Sequence, residues 1–226
     1  MKLAEIVPWG RSREEYRRMF NLTDADLGKR ILGVGDGPAS FNAEQTAVGG
    51  SIVSIDPIYA FSAQEIEKRI EATYPTVIEN VQKEEAQYNW TIFQNTDELG
   101  KERMKAMNQF LTDYETGKQQ GRYLAYALPN LPFSDQSFEL ALCSHLLFLY
   151  SDHLSEAFHQ TAIQELMRVA NEVRIFPLIS LAGSPSPHLN PVLAACKDQH
   201  IQAEIVNVPY HFQKGAYQML QLTRTA

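Results

Sequence analysis

Apolar positions along the chain alternate between two periods. Ile31-Leu32-Gly33-Val34 is a short apolar run, and Ser51–Asp56 alternates β-branched with polar positions. Both patterns predict buried strands. The first run meets Gly35 and Gly37. Pro38 to Val48 then reads as a helix, with a proline near its start and Gly49-Gly50 as its stop. Strand, glycine turn, helix and strand make a βαβ unit, which implies a parallel sheet with a right-handed crossover. Upstream, Ser12 with Glu15 is a capping box that opens a helix over Arg13–Phe20.

The period then becomes helical and charge-rich over roughly 61–121. Ser62 with Glu65 is a second capping box, and Ile66 and Ile70 share a face. Pro75 is expected to start a new helix holding Val77, Ile78 and Val81. A third helix carries Leu99, Met107, Phe110, Leu111 and Tyr114 and ends near Gly117–Gly121. A crossover needs one helix, so the surplus reads as an inserted helical cap within a single domain of 226 residues.

The strand pattern resumes at Tyr123–Ala127 and Phe138–Ser144. An amphipathic helix follows over Ser155–Ala170, then a strand over Val173–Ser180 that Pro177 weakens. Asn190-Pro191 is expected to cap and open a helix to about Gln199. Ala203–Val208 and Tyr217–Thr223 have no helix between them, so they should pair antiparallel. The expected fold is α/β and Rossmann-like. Its seven-stranded sheet is mostly parallel, with an antiparallel C-terminal hairpin and a helical insertion after strand two.

Composition narrows the function classes. Hydrophobic residues make up 44% of the chain, enough for a sizeable core, and the net charge is −7. The one basic cluster, Arg11, Arg13, Arg17 and Arg18, is interrupted by Glu14 and Glu15 and reads as a solvated helix face. Nucleic acid is therefore a disfavoured partner. Cys143 and Cys196 form no disulfide framework and read as reduced core thiols, which points to the cytoplasm. Met1–Gly10 has no apolar run of the signal-peptide kind. Leu140–Tyr150 is too short to span a bilayer, so no membrane is expected. The histidines show no metal-ligand spacing, and no metal is expected.

Candidate chemistry gathers at predicted strand ends, where open parallel sheets bind ligands. Gly33, Gly35, Gly37 and Ala39 form an alternating small-residue turn that lets a ligand approach the backbone. Asp56 ends strand two, where a carboxylate can accept both hydroxyls of a ribose. A dinucleotide turn would have glycine or alanine at Ser40, and a phosphate-binding loop would need Gly-Lys-Ser/Thr, which is absent.

Ile31-Leu-Gly-Val-Gly-Asp-Gly-Pro-Ala39, then Ile55-Asp56-Pro57, then Leu131-Pro-Phe-Ser-Asp-Gln-Ser-Phe-Glu-Leu140 resemble the successive motifs of class I S-adenosylmethionine-dependent methyltransferases. The resemblance covers roughly 29–59 and 123–224 and leaves 61–121 unaccounted for. It implies S-adenosylmethionine as cofactor and methyl transfer to a small or medium-sized acceptor. Gly35 and Gly37 would pass under the methionine part, with Gly33, Asp36 and Ala39 beside them. Asp56 would hold the ribose and Pro57 would start the loop beside the adenine. Ala127 and Leu128 would run along the adenine edge. Cys143, Ser144 and His145 would face the sulfonium and the acceptor, and Tyr59 would face the acceptor.

The family usually has an acid where Gly33 stands and another near Ala127. Both are missing, and Asp36 is the candidate to replace the first. A non-catalytic binding or scaffold protein is thus one alternative, and an NAD-dependent oxidoreductase is another. Ser144 and His145, adjacent on a strand, should point to opposite faces and form no pair. The rigid loop Gly183–His188 lies where this fold often contacts substrate. The helices of the insertion could equally serve a homodimer.

Overall fold

The computed structural model describes residues 7–224. Seven strands form one sheet in the order β3-β2-β1-β4-β5-β7-β6. The strands are β1 (Arg30–Val34), β2 (Ser51–Ile55), β3 (Tyr123–Leu124), β4 (Phe138–Ser144), β5 (Ala170–Phe176), β6 (Ile201–Asn207) and β7 (Gln218–Arg224). β1 through β5 run parallel, and β7 pairs antiparallel with both β5 and β6. This is the Rossmann-like sheet with a terminal hairpin expected from the sequence. The order turns back at β1, which lies between β2 and β4, so a crevice opens above its carboxyl end.

Alternation along the central strands splits the core into two layers. Leu32 and Val34 of β1, with Ala141 and Cys143 of β4, pack on the side of α6 (Glu156–Val169) and α7 (Leu189–Asp198). Ile31, Leu140 and Leu142 pack on the opposite side against Tyr16, Met19 and Phe41. Tyr16 and Met19 belong to α1 (Arg13–Met19) and Phe41 to α3 (Phe41–Ala47); the short α2 spans Asp24–Leu27. Each such buried side chain contributes roughly 1.5–3 kcal/mol.

Ser12 and Ser62 both close the capping boxes expected of them. Pro75, however, starts no helix: α4 runs unbroken over Ala63–Lys83 with the proline inside it. An interior proline costs about 3 kcal/mol because it removes an amide and crowds the preceding turn. Here it stands on the exposed side. Ile66 and Ile70 before it and Val77 and Val81 after it are buried, which holds one axis through the break. α7 also begins earlier than expected. His188 precedes the first turn and Asn190 lies inside the helix.

α5 (Thr96–Gln119) packs its Met107, Phe110 and Tyr114 with Tyr59 and Tyr123 into a third apolar cluster beside the sheet edge. Among the described residues, no helix is long and apolar enough to cross a membrane. One close approach ties the N-terminal segment to the crevice. A Cβ at Gly10 would collide with the Pro38 carbonyl oxygen and with Met107 Cγ. The Pro38 oxygen belongs to backbone and cannot swing aside. Gly10→Ala is therefore expected to destabilise the protein by about 1–3 kcal/mol in urea unfolding. An unchanged midpoint would mean that this segment is not seated against the turn.

Candidate functional site

A cavity of ≈ 440 Å³ opens above the carboxyl ends of the parallel strands. Its floor is the turn after β1. Gly35 and Gly37 have φ of 69° and 52°, the left-handed region that glycine enters without strain. Between them Asp36 folds back under the turn. A Cβ placed on Gly33 would fall on the Asp36 carboxyl, 2.7 Å from its Cγ. Position 33 is side-chainless, and Asp36 supplies a carboxylic acid in the space a residue there would fill.

That carboxyl is buried and held from two sides. Tyr16 of α1 donates to Oδ1 at 2.7 Å, and Ser54 of β2 donates to Oδ2 at 2.6 Å. Ser54 accepts in turn from Asn42 at 3.0 Å, and the Asn42 carbonyl accepts from Arg122 at 2.8 Å. Arg122 forms a two-pronged pair with Asp113 of α5. One chain of hydrogen bonds therefore links the turn to the helical segment between β2 and β3. Burial pushes the Asp36 carboxyl up to about 7, against the pull of the Ser54 and Tyr16 hydrogen bonds.

Asp56 stands beside it. Its Oδ2 accepts from the Gly37 amide at 3.0 Å, and its Oδ1 caps the following turn through Ile58 at 2.9 Å. Each oxygen keeps a second lone pair for a ligand. Burial raises this carboxyl as well.

Gly35, Asp36, Gly37, Ala39, Asp56, Pro57, Ala127, Leu128, Ser144 and His145 all border the cavity. Gly33, Cys143 and Tyr59 do not. Gly33 lies beneath Asp36. Cys143 points into the core layer of α6, fully buried, where burial pushes its thiol up to about 12. Tyr59 turns into the aromatic cluster with Phe110 and Tyr123, and its hydroxyl donates to the Gly37 carbonyl at 2.7 Å. It braces the turn from behind instead of facing an acceptor. Residues 183–188 also lie outside the cavity lining.

The Ser144–His145 expectation is overturned. Ser144 Oγ and His145 Nδ1 are 3.0 Å apart. Strand alternation stops at Ser144, and His145 takes a φ of 51°, which turns its ring back toward its neighbour. Burial, with Arg11 and Arg103 nearby, holds this imidazole neutral, well below its ordinary range.

The sequence expectations place neither Arg103 nor Arg11 in the cavity, yet both border it. Arg103 is 1% exposed and donates to Glu15 Oε2 at 2.5 Å and to the Tyr210 hydroxyl at 3.3 Å. Its signal was present, because Leu99, Arg103 and Met107 follow one another at helical spacing on a buried face. The sequence pattern puts Arg11 on a solvated helix face with Arg13, Arg17 and Arg18. That holds for Arg17 and Arg18, which pair with Asp24 and Glu14 in the open. Arg11 instead borders the cavity. Its carbonyl receives the Ser40 amide at 3.0 Å, which fixes the segment over the start of α3.

The fold and the glycine-turn crevice define a protein of the class I methyltransferase fold. The chain belongs to the same family as the uncharacterized protein MJ0045 of Methanocaldococcus jannaschii, with 34% identity over 225 residues and 99% of each chain covered. No family model matches. Similar solved structures include magnesium protoporphyrin IX methyltransferase of Synechocystis PCC 6803 with bound S-adenosylmethionine. It shows 10% identity and a TM-score of 0.47, with 94% of this chain and 90% of that one covered. A TehB-like S-adenosylmethionine-dependent methyltransferase of Corynebacterium glutamicum shows 11% identity and a TM-score of 0.47, with 93% and 88% covered. At such values the fold class rests on the strand order of this chain itself.

The raised Asp36 has a measurable consequence. In the unfolded chain this carboxyl ionises near its ordinary value, whereas in the fold it stays protonated to about 7. Stability is then fully present below the unfolded value and is lost as pH rises toward 7. Relative to Asp36→Asn, the natural protein should lose about 2–3 kcal/mol between pH 5 and pH 8, read from urea midpoints. Parallel pH profiles would contradict a buried, titrating Asp36.

Proposed function

We propose that the protein is an S-adenosylmethionine-dependent methyltransferase acting on a small or medium-sized acceptor, with 61–121 as the cap of a single domain. The observation that carries this reading is the pair of acids at the ends of β1 and β2. The family acid missing at Gly33 has a spatial replacement, since Asp36 reaches the same space from the turn. Asp36 would accept from the ammonium group of the cofactor, and Asp56 from its ribose hydroxyls with the lone pairs left free by Gly37 and Ile58. Gly37 adds room, because a Cβ there would meet nothing nearer than Asp56 Oδ2 at 3.9 Å. Pro57, Ala127 and Leu128 border the same end and supply an apolar wall for a flat ring.

When bound, the cofactor supplies an electrophilic methyl group. The protein's task is then alignment in a site from which water is excluded. Ser144 and His145 border the cavity from the end of β4, where an acceptor would approach. If the acceptor atom carries a proton, His145 is the candidate base to test, and its lowered basicity suits it only to an acidic proton.

Calorimetric titration with S-adenosylhomocysteine, with NAD as control, is the direct test. One-site binding of the former alone is expected, and Asp56→Ala should weaken it by about 10- to 100-fold, the loss of charge-assisted hydrogen bonds. Affinity should also rise from pH 6 to pH 8 as Asp36 ionises. Tighter binding of NAD, or no binding of either, would reject the reading.

A further inference from the structure

The end of the cavity away from Asp36 and Asp56 is basic. Arg11 and Arg103 both border it, and each guanidinium has an Nε with no hydrogen-bond partner among the described residues. Arg103 is otherwise committed to Glu15 and Tyr210, and Arg11 donates to the Trp9 carbonyl at 3.1 Å. Glu15 also receives the Tyr210 hydroxyl, at 2.9 Å. Two guanidinium charges thus stand near one carboxylate, Arg103 buried against it and Arg11 half-buried. Burial, and after it the neighbouring Arg103, bring the Arg11 guanidinium below its ordinary value.

A purely structural tie between α1 and α5 would need only Arg103 and Glu15. The second guanidinium is what a ligand would explain, because Glu15 balances only one of the two charges and an uncompensated charge away from water is costly. The location separates this end from the acid pair. The Phe176 ring, at the end of β5, lies 5.4 Å from His145 and 5.9 Å from Tyr210, which holds Arg103. The basic end therefore sits over β4 and β5, whereas Asp36 and Asp56 follow β1 and β2. The cavity walls are largely apolar and include Trp9, Leu149, Phe158, Leu181 and Phe212.

We propose that the substrate of this cavity carries a carboxylate on an apolar body, and that Arg11 and Arg103 receive that carboxylate. A single negative charge matches the excess of one guanidinium over Glu15. A phosphate dianion would exceed it, in a cavity that Asp36 and Asp56 also border. Arg69 borders the cavity as well and has a partner of its own. The assignment of the carboxylate to the methyl acceptor rests on the proposed methyltransferase reading.

The test uses 4-phenylbutyrate, its neutral amide and phenyl phosphate, each titrated into the full-length protein with and without saturating S-adenosylhomocysteine. The carboxylate is expected to bind at least about tenfold tighter than the amide in both states, the scale of one charge-assisted contact. Arg11→Gln should remove most of that preference. Arg103→Lys, which keeps the charge but loses the planar fork, should reduce it several-fold. Circular dichroism checks the fold of each variant, and Arg11, less buried than Arg103, carries the test if the second variant unfolds.

Equal binding of amide and carboxylate, or a preference that survives both substitutions, would overturn the proposal. So would tighter binding of phenyl phosphate. Mutual exclusion of 4-phenylbutyrate and S-adenosylhomocysteine would assign the arginines to the cofactor's own carboxylate and remove the acceptor assignment. If S-adenosylhomocysteine fails to bind while the arginine-dependent preference persists, the carboxylate site stands and methyl transfer falls.

Discussion

The carboxyl group of Asp36 occupies space that a side chain on β1 would otherwise fill, and much of the crevice is arranged around that substitution. Gly33 must be bare for it to fit. Tyr16 must reach over from α1 and Ser54 must rise from β2 to satisfy both of its oxygens. Through Ser54, Asn42, Arg122 and Asp113 the same group is tied to α5. A buried acid that lost these donors would be an unsatisfied polar group in the core, so α1, β2 and α5 are held in mutual register by the requirement to serve it. Tyr59 completes the brace from behind through the Gly37 carbonyl.

The cavity that results has two chemically different ends. Over β1 and β2 are carboxyl groups raised by burial. Over β4 and β5 are guanidinium groups, with a neutral imidazole between. Burial strengthens this polarity, because charges in a low-dielectric space interact more strongly than at a surface. Glu15 shows the balance. Burial alone would raise its carboxyl, but Arg103 holds it below the ordinary carboxylate range. The apolar walls around both ends leave few alternatives for a charged ligand, so the orientation of whatever binds is set chiefly by these few groups.

The differences between expectation and structure have local causes. Pro75 carries a helix-start signal in isolation, and it is overruled because the buried residues on either side share one helix face. Strand alternation predicts opposite faces for Ser144 and His145, but the strand ends at Ser144. A left-handed backbone at a histidine has no signature in composition. Arg103 was visible as a charged residue on an apolar stripe, but whether such a residue is buried depends on partners 88 and 107 positions away.

The sequence by itself determined the strand and helix periods, the capping boxes, the glycine turn and the acid at the end of β2. Each of these is encoded within a few residues by sterics or local hydrogen bonding. It therefore determined the sheet and the location of the crevice. Only the tertiary structure decided that the Asp36 carboxyl fills the space of a side chain at position 33, that Tyr59 faces inward, and that Arg11 and Arg103 border one cavity. Those outcomes depend on which distant surfaces are brought within a few ångströms of each other, and spacing along the chain carries no measure of that distance.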